Sequence, residues 1–236
     1  MKIFFLKKKI LYTIIIVAIA IIIMVGLLLS RDDAVETFNN QDVYYQGNTN
    51  NKVVAFTCNV DWGKEYITPM LEILKKNEIK ITFFITGRWA EKNKDIVKKI
   101  CQYGHEIGNH GYFHKDYSKL NYEGNKEQIT KADKVMREIS KGELRFFAPP
   151  SGAYNKHTIQ ASKDLDYKLI MWSIDTIDWR KDSTKNKIVE RVIKKPHNGA
   201  IVLMHPKSET IKALPIIIKA LKNKGYEIGR VSDVIE

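Results

Sequence analysis

The pattern of apolar and polar positions from Lys52 onward alternates short apolar runs with segments of helical periodicity. Segments such as "EYITPMLEILKKNEI" have apolar residues three and four positions apart, which predicts amphipathic helices. The clearer runs are continuously apolar, as in parallel strands covered on both faces. This alternation predicts one parallel α/β domain, not two domains, with seven candidate strands: "VVAFTCNV", "KITFFIT", "EIGNH", "LRFFAPP", "KLIMWS", "AIVLMHP" and "EIGRVSD".

An open sheet and a closed barrel both agree with this alternation. Polar residues that follow the strand candidates favour a distorted (β/α) barrel, because side chains from several strand ends meet only where the strands ring a common mouth. The polar or turn-forming residues at these ends are Asp61, His110, Pro150, Asp175, Asp178 and His205.

The N-terminal region has a different pattern. Residues 10–29 form twenty positions without a charge, enough for one transmembrane helix through roughly 30 Å of hydrocarbon. Four lysines precede the run, so we expect residues 1–9 in the cytoplasm and the rest of the chain outside the cell membrane. A cleaved signal peptide is the alternative, but its apolar core is usually about 7–15 residues long, with a small-residue cleavage site after it.

Residues 30–51 are polar and asparagine-rich, which predicts a stem between the anchor and the domain at 52–236. The chain has a net charge of +12, and most of this excess lies in the outer part, where an anionic cell-wall polymer is one partner that would suit it. A lysine-rich bias without any partner explains the charge equally well. No basic run is interleaved with stacking aromatic residues, so nucleic acid is not expected as a partner.

The two cysteines exclude a disulfide scaffold, and we expect Cys58 and Cys101 to be small buried residues without a bridge. The oligomeric state is not indicated by the sequence.

A candidate metal site begins with "HGYFH". On a helical turn, His110 and His114 would lie on one face, close enough to share a metal. Such a pair is weak support by itself. A carboxylate from another strand end strengthens it, because two histidines and one aspartate with an open position are a normal shell for catalytic zinc.

Five motifs occur in order between Val53 and Val234: "TCNVDWG", "GHEIGNHGYFH", "FFAPPSGAYN", "MWSIDTIDW" and "IVLMHP". This order resembles the polysaccharide deacetylases with a NodB homology domain, which form carbohydrate esterase family 4. The resemblance implies a distorted barrel and removal of N-acetyl groups from peptidoglycan or a related envelope glycan. It also implies Zn²⁺ or another divalent transition metal as cofactor.

The resemblance assigns roles by position. The metal ligands would be Asp61, His110 and His114. His205 would be the general acid and Asp178 the carboxylate that orients it, while the position of the catalytic base falls on Asn59. Substrate-binding positions would be Trp179, Leu203, Pro150 and Ser151.

Two positions depart from the family pattern. Asn59 stands where the base is an aspartate, and Ala148 stands where an arginine would pair with that base. Loss of both members of a buried ion pair can be nearly neutral, whereas loss of one strands a charge. The two changes together resemble the sporulation-associated branch of the family. Asp175 could replace the base, or could instead cap its own loop.

We therefore expect a membrane-anchored, zinc-dependent deacetylase with reduced activity. The alternative is a catalytically impaired, metal-containing protein that binds or scaffolds envelope glycan, and a third hypothesis is activity on another amide or an O-acetyl ester. Trp62 is expected either to stack on sugar rings or to pack. Three histidines that match no motif are expected on the surface or in loops: His105, His157 and His197.

Overall fold

The computed structural model describes residues 8–29 and 42–235, and in the first stretch it describes the side chains of residues 10–21 and 24. The predicted cytoplasmic N-terminus, apart from two backbone positions, and residues 30–41 of the predicted stem lie outside the described residues. The chain divides into two compact units, residues 1–39 and residues 40–236.

The described part of the first unit is the helix α1 (Lys8–Leu29), over the run that the sequence marks as a membrane anchor. Within the described residues, no helix reaches the length and hydropathy required of a membrane span. The transmembrane anchor therefore stays a prediction.

The second unit alternates strands and helices. In chain order its elements are β1 (Val43–Tyr44), β2 (Val53–Val60), α2 (Lys64–Lys76), β3 (Thr82–Ile85), α3 (Gly87–Lys92), α4 (Lys94–Gln102), β4 (Glu106–Asn109), α5 (Tyr122–Ser140), β5 (Phe146–Phe147), α6 (Lys156–Asp164), β6 (Lys168–Ile170), β7 (Ile174–Asp175), α7 (Lys185–Lys194), β8 (Ile201–Met204), α8 (Ser208–Asn223), β9 (Glu227–Gly229) and α9 (Ser232–Ile235). Short 3₁₀ turns lie at Tyr117–Lys119 and Pro150–Gly152.

The strands form one parallel sheet in the order β1-β6-β5-β4-β3-β2-β8-β7, with β9 paired to β2. β6 pairs with β5 and β7 pairs with β8, although β6 and β7 are separated by only residues 171–173. The sheet therefore curls into a half-barrel, because residues 171–173 connect a strand near one end of the sheet to the strand at its other end. The predicted parallel α/β class is confirmed, and the seven predicted strands correspond to β2–β6, β8 and β9.

Two strands were not predicted, β1 and β7, because each has only two residues and leaves no periodic pattern. β1 also corrects the predicted stem. Val43 and Tyr44 pair with β6, and the Gly47 N–H donates to the Gly199 carbonyl at 2.8 Å. The folded unit thus begins before Lys52, and the part of the predicted stem at 42–51 belongs to the domain.

The core lies between the sheet and the helices that cover it. All eight residues of β2 are buried, and β2 pairs with β3, β8 and β9. Helix α2 adds a buried stripe with helical spacing: Ile67, Met70, Leu71 and Leu74. Cys58 and Cys101 are free thiols. Cys58 is buried as expected, whereas Cys101 is only half-buried.

His105 lies in the loop before β4, one of the two positions that the sequence predicted, but it is not on the surface. It is buried before β4, where the Ile81 N–H donates to its Nδ1 at 3.1 Å and its ring meets the edge of Phe83. Burial, with a smaller contribution from the charge of Lys80, lowers the pKa of His105 to about 4. The histidine is therefore a neutral core residue at physiological pH.

We predict that the free energy of unfolding falls as the pH is lowered from about 6.5 toward 4, because the unfolded chain binds a proton at His105 before the folded chain does. Above this window His105 makes no pH-dependent contribution. Urea unfolding at several pH values measures the effect. His105→Gln should flatten the dependence but not remove it, because burial also lowers the pKa of His110. An unchanged dependence in His105→Gln would contradict the assignment.

Candidate functional site

A cavity of about 400 Å³ opens at the carboxyl ends of the strands. Because the paired strands of the curled sheet are parallel, the residues that follow them meet at this one edge. The lining residues come from several strand ends and loops: Asn59, Asp61, Trp62, His110, His114, Ser151, Trp172, Asp175, Trp179, Leu203 and His205.

The two histidines of "HGYFH" meet, but not on a helical turn as the spacing predicted. Residues 110–114 form a bend after β4, in which Gly111 (φ +70°) and His114 (φ +53°) have left-handed backbone conformations. The rings of His110 and His114 lie 5.2 Å apart, nearly edge to face. A tight bend thus brings together residues that a helix was predicted to align.

His110 is held by the main chain of the third motif. Its Nδ1 donates to the Ala148 carbonyl at 2.7 Å, so Nε2 is the ring nitrogen with a free lone pair. Burial, and then the nearby His114, lower the pKa of His110 to about 3. His110 is therefore a neutral imidazole fixed in one tautomer.

Asp61 is bound on both carboxylate oxygens. The Arg88 Nε donates to Oδ1 at 3.0 Å and the Arg88 Nη2 to Oδ2 at 2.5 Å, while the Thr86 hydroxyl donates to Oδ1 at 2.7 Å. Burial raises the pKa of Asp61, but the hydrogen bonds from Arg88 and Thr86 outweigh it, so the net pKa lies below its ordinary value. Asp61 is an anion whose partner in the structure is a guanidinium group.

This geometry bears on the predicted zinc site at Asp61, His110 and His114. Two neutral imidazoles and a carboxylate have suitable chemistry for zinc, but here the carboxylate is occupied by Arg88. In the described residues, no group of three His, Cys, Asp or Glu side chains is arranged to hold a metal ion. In this arrangement the three residues do not fit a divalent ion, and the zinc site stays a prediction.

Asp178 holds His205, which also lines the cavity. Its Oδ1 accepts from the Nδ1 of His205 at 2.7 Å, and its Oδ2 accepts from the His205 N–H at 2.7 Å and from the Thr210 hydroxyl at 2.6 Å. The Asp178 side chain is fully buried, whereas His205 is partly open to the cavity. This pairing leaves the Nε2 of His205 to exchange a proton with a bound molecule.

Aromatic side chains flank His205 at the cavity mouth. The ring of Trp62 stacks on His205 at 5.8 Å between centroids, with 10° between the planes. Trp62 and Trp179 are both exposed, and the Lys207 ammonium lies 5.8 Å from the centre of the Trp62 ring. Flat apolar faces beside hydrogen-bonding groups suit a sugar ring.

Asn59 and Ala148, the two departures from the family pattern, are both buried. Among the described residues, the Oδ1 of Asn59 has no hydrogen-bond partner, although it is buried and its residue lines the cavity. Asp175 also lines the cavity, but its Oδ1 accepts from the Ile177 N–H at 2.7 Å. That bond corresponds to the loop-capping role considered for Asp175.

Most predicted site residues line the cavity. Among the described lining residues, Ser151 is present but Pro150 is not. Both lie in the turn Pro150–Gly152, in which Pro150 is buried and Ser151 is exposed. Sequence reasoning missed Thr86, Arg88, Trp172 and Thr210. Thr86 is the last residue of the strand candidate "KITFFIT" and Arg88 lies two positions further on, so the polar residues at that strand end were the available signal.

The curled parallel sheet, with the motif residues at its carboxyl edge, agrees with the family that the order of the motifs resembles. The family model for polysaccharide deacetylases matches residues 46–170, more than half of the chain. The chain therefore belongs to the polysaccharide deacetylase family.

Relatives in Bacillus subtilis (strain 168) include the uncharacterized protein YlxY, which is 41% identical over 192 residues, 81% of this chain. The alignment covers 60% of YlxY, so this chain spans less than two thirds of that relative. The peptidoglycan-N-acetylmuramic acid deacetylase PdaA of the same organism is 29% identical over 198 residues, 82% of this chain and 75% of PdaA.

Among solved structures, BA3943 from Bacillus anthracis is similar with a TM-score of 0.81 and 38% identity, over 84% of this chain and 70% of that one. BA3943 is described as a pseudoenzyme of carbohydrate esterase family 4. A mutant of BA3943 described as having restored enzymatic activity is 37% identical, also with a TM-score of 0.81, over 84% of this chain and 72% of that one.

We predict that Asp178→Ala lowers the free energy of unfolding by about 3 kcal/mol, because three donors from His205 and Thr210 lose their buried acceptor. Asp178→Asn should cost less, since one acceptor oxygen remains. Urea unfolding measures both. Asp182→Ala is the control, because this carboxylate makes exposed ion pairs and its loss should change stability little. Equal effects of Asp178→Ala and Asp182→Ala would contradict this account.

Proposed function

We propose that the protein acts on N-acetylated sugars of peptidoglycan, as a hydrolase that removes N-acetyl groups slowly. The observation that carries this proposal is the pairing of His205 with buried Asp178 in the same cavity as Leu203 and Trp179. An imidazole held in this way suits a general acid for amide hydrolysis.

Hydrolysis of an acetamide needs a proton at the departing nitrogen. In the proposed reaction, water forms a bond to the acetyl carbon and loses a proton to the surrounding solvent, while the bond from that carbon to nitrogen breaks. The Nε2 of protonated His205 donates to the amine, while Asp178 holds Nδ1 and fixes the ring. Acetate and a free amino sugar leave. Trp62 and Trp179 would flank the sugar, and Leu203 would contact the acetyl methyl.

The slow rate follows from the side chain at position 59. An amide cannot accept the proton of the attacking water as a carboxylate does, and a general base contributes about 10²–10⁴ in rate. Ala148 supplies no cation that would support a carboxylate there. Deacetylases of this family are generally metal-dependent. Use of Zn²⁺ by this chain would require Asp61 to exchange its ion pair with Arg88 for the metal.

A second function, glycan binding without hydrolysis, is favoured by the free oxygen of Asn59. This buried Oδ1, which has no partner in the described chain, can accept the N–H of an acetamido group. The Asn59 side chain would then bind the acetamido group, whereas an aspartate at the same position would act as a base in its hydrolysis. The similarity to the pseudoenzyme BA3943 also supports this candidate.

We further propose that α1 anchors the chain in the cell membrane, with the N-terminus in the cytoplasm and the domain outside. The twenty uncharged residues at 10–29 and the lysines before them support this orientation. The described side chains of α1 are apolar except Tyr12 and Thr13, and all of them are exposed. A lipid environment would accommodate that surface.

We predict slow acetate release when the full-length protein is incubated with N-acetylglucosamine oligomers or peptidoglycan fragments, with and without added Zn²⁺. His205→Ala should abolish the release, because the amine then leaves unprotonated. Asn59→Asp should raise the rate by about 10² or more, because a carboxylate can take the water's proton. Chromatographic detection of free acetate gives the rates.

Substrate binding, measured by calorimetry in the same preparations, separates the two functions. Binding without acetate release from the wild type would exclude the hydrolase and support the glycan-binding function. Neither binding nor release would contradict both. His157→Ala is the control, because this histidine lies in α6 and does not line the cavity.

If α1 anchors the chain, we predict that the full-length protein sediments with membranes. High salt should not extract it, because apolar contacts are insensitive to ionic strength. Protease added outside intact spheroplasts should cut the domain. Recovery of the full-length chain in the soluble fraction would contradict the anchor.

A further inference from the structure

Arg88 places a permanent positive charge at a carboxylate that the family pattern assigns to a metal. The guanidinium fork meets both oxygens of Asp61, at 3.0 Å and 2.5 Å. A guanidinium group stays protonated throughout the physiological pH range. Arg88 therefore carries its positive charge throughout this range.

The main chain positions Arg88 beside the histidines. Arg88 lies in the first turn of α3, directly after β3. The Gly87 N–H donates to the Gly111 carbonyl at 2.8 Å, and the Arg88 N–H donates to the Tyr112 carbonyl at 3.2 Å. Both acceptors belong to the bend that joins His110 to His114. The start of α3 is thus tied to the loop of the proposed ligands.

Thr86 holds the other side of the carboxylate. Its hydroxyl donates to the Oδ1 of Asp61 at 2.7 Å, and its N–H donates to the Val60 carbonyl at 3.0 Å. The position of Asp61 is therefore set by β3 and α3 together. A metal that used Asp61 would have to displace a bidentate ion pair.

We propose that Arg88 is the resident cation of this site and keeps Asp61 from joining His110 and His114 as a third metal ligand. The wild-type protein then binds divalent transition metals weakly. This inference deepens the proposed function, because it concerns the same cavity and rests on that assignment. It also provides a second reason, besides Asn59, for slow hydrolysis.

The test is calorimetric titration of the full-length protein with Zn²⁺ alone. Arg88→Gln should bind Zn²⁺ about tenfold or more tightly than the wild type, because Asp61 is released and a nearby positive charge is lost. Arg137→Gln is the matched control. It removes an arginine from a similarly exposed pair with Asp133, with side-chain exposures of 47% for Arg137 and 44% for Arg88. Its zinc affinity should equal that of the wild type.

Two further variants locate the effect. Asp61→Asn in the Arg88→Gln background should remove the gained affinity, and Arg88→Met should reproduce the gain if Arg88→Gln does not fold. Equal zinc affinity in the wild type and the Arg88 variants, whether tight or undetectable, would overturn the proposal. A gain that persists without the Asp61 carboxylate would also overturn it. None of these readouts depends on acetate release, so slow or absent hydrolysis is judged separately.

Discussion

The hydrogen bonding of β2 is the constraint on which the site depends. β2 is buried along its whole length and pairs with β3, β8 and β9, so its backbone groups are satisfied within the sheet. Polar side chains can therefore gather only where this strand and its parallel neighbours end. The bend after β4, the start of α3 and the loop before α7 all leave the sheet at that edge. The cavity is the consequence, because these segments diverge from the strands that they follow.

Two aspartates at this site, Asp61 in the cavity lining and Asp178 buried behind His205, differ in the donors that match their charge. Asp178 is fully buried and accepts three hydrogen bonds, two of them from His205. Asp61 is partly exposed and is matched by a guanidinium and a hydroxyl. Asn59 lies close by in the sequence but carries no charge, and the arginine that would match a carboxylate there is replaced by Ala148. The carboxylates of Asp61 and Asp178 are thus both hydrogen-bonded. Asn59 is uncharged, and Ala148 supplies no cation to it.

This distribution divides the cavity into two functional parts. On one side, the His205 imidazole is paired with the buried Asp178 carboxylate, and exposed aromatic faces lie beside it. The side with Asn59, Asp61 and Arg88 lacks a carboxylate free to act as base or ligand. Membership in the polysaccharide deacetylase family and similarity to both an enzyme and a pseudoenzyme agree with such a mixed site. In the proposed functions, recognition of an acetamido group would use the first part and the Asn59 oxygen that has no partner in the described chain, whereas efficient hydrolysis would need both parts.

The sequence by itself determined the parallel α/β class, the buried strands and most of the residues that meet in the cavity. These features can be predicted from continuous apolar runs and the order of the motifs, because strand burial and turn formation depend on residues close together in the sequence. Tertiary structure alone decided that β1 belongs to the sheet, that His105 is buried and that His110 and His114 meet through a bend. It also decided that Asp61 pairs with Arg88, since that contact joins residues 27 positions apart through the register of β2 and β3. Hydrophobic periodicity predicts which face of a helix or strand is buried, but it does not predict which distant side chain will form an ion pair with a given charge.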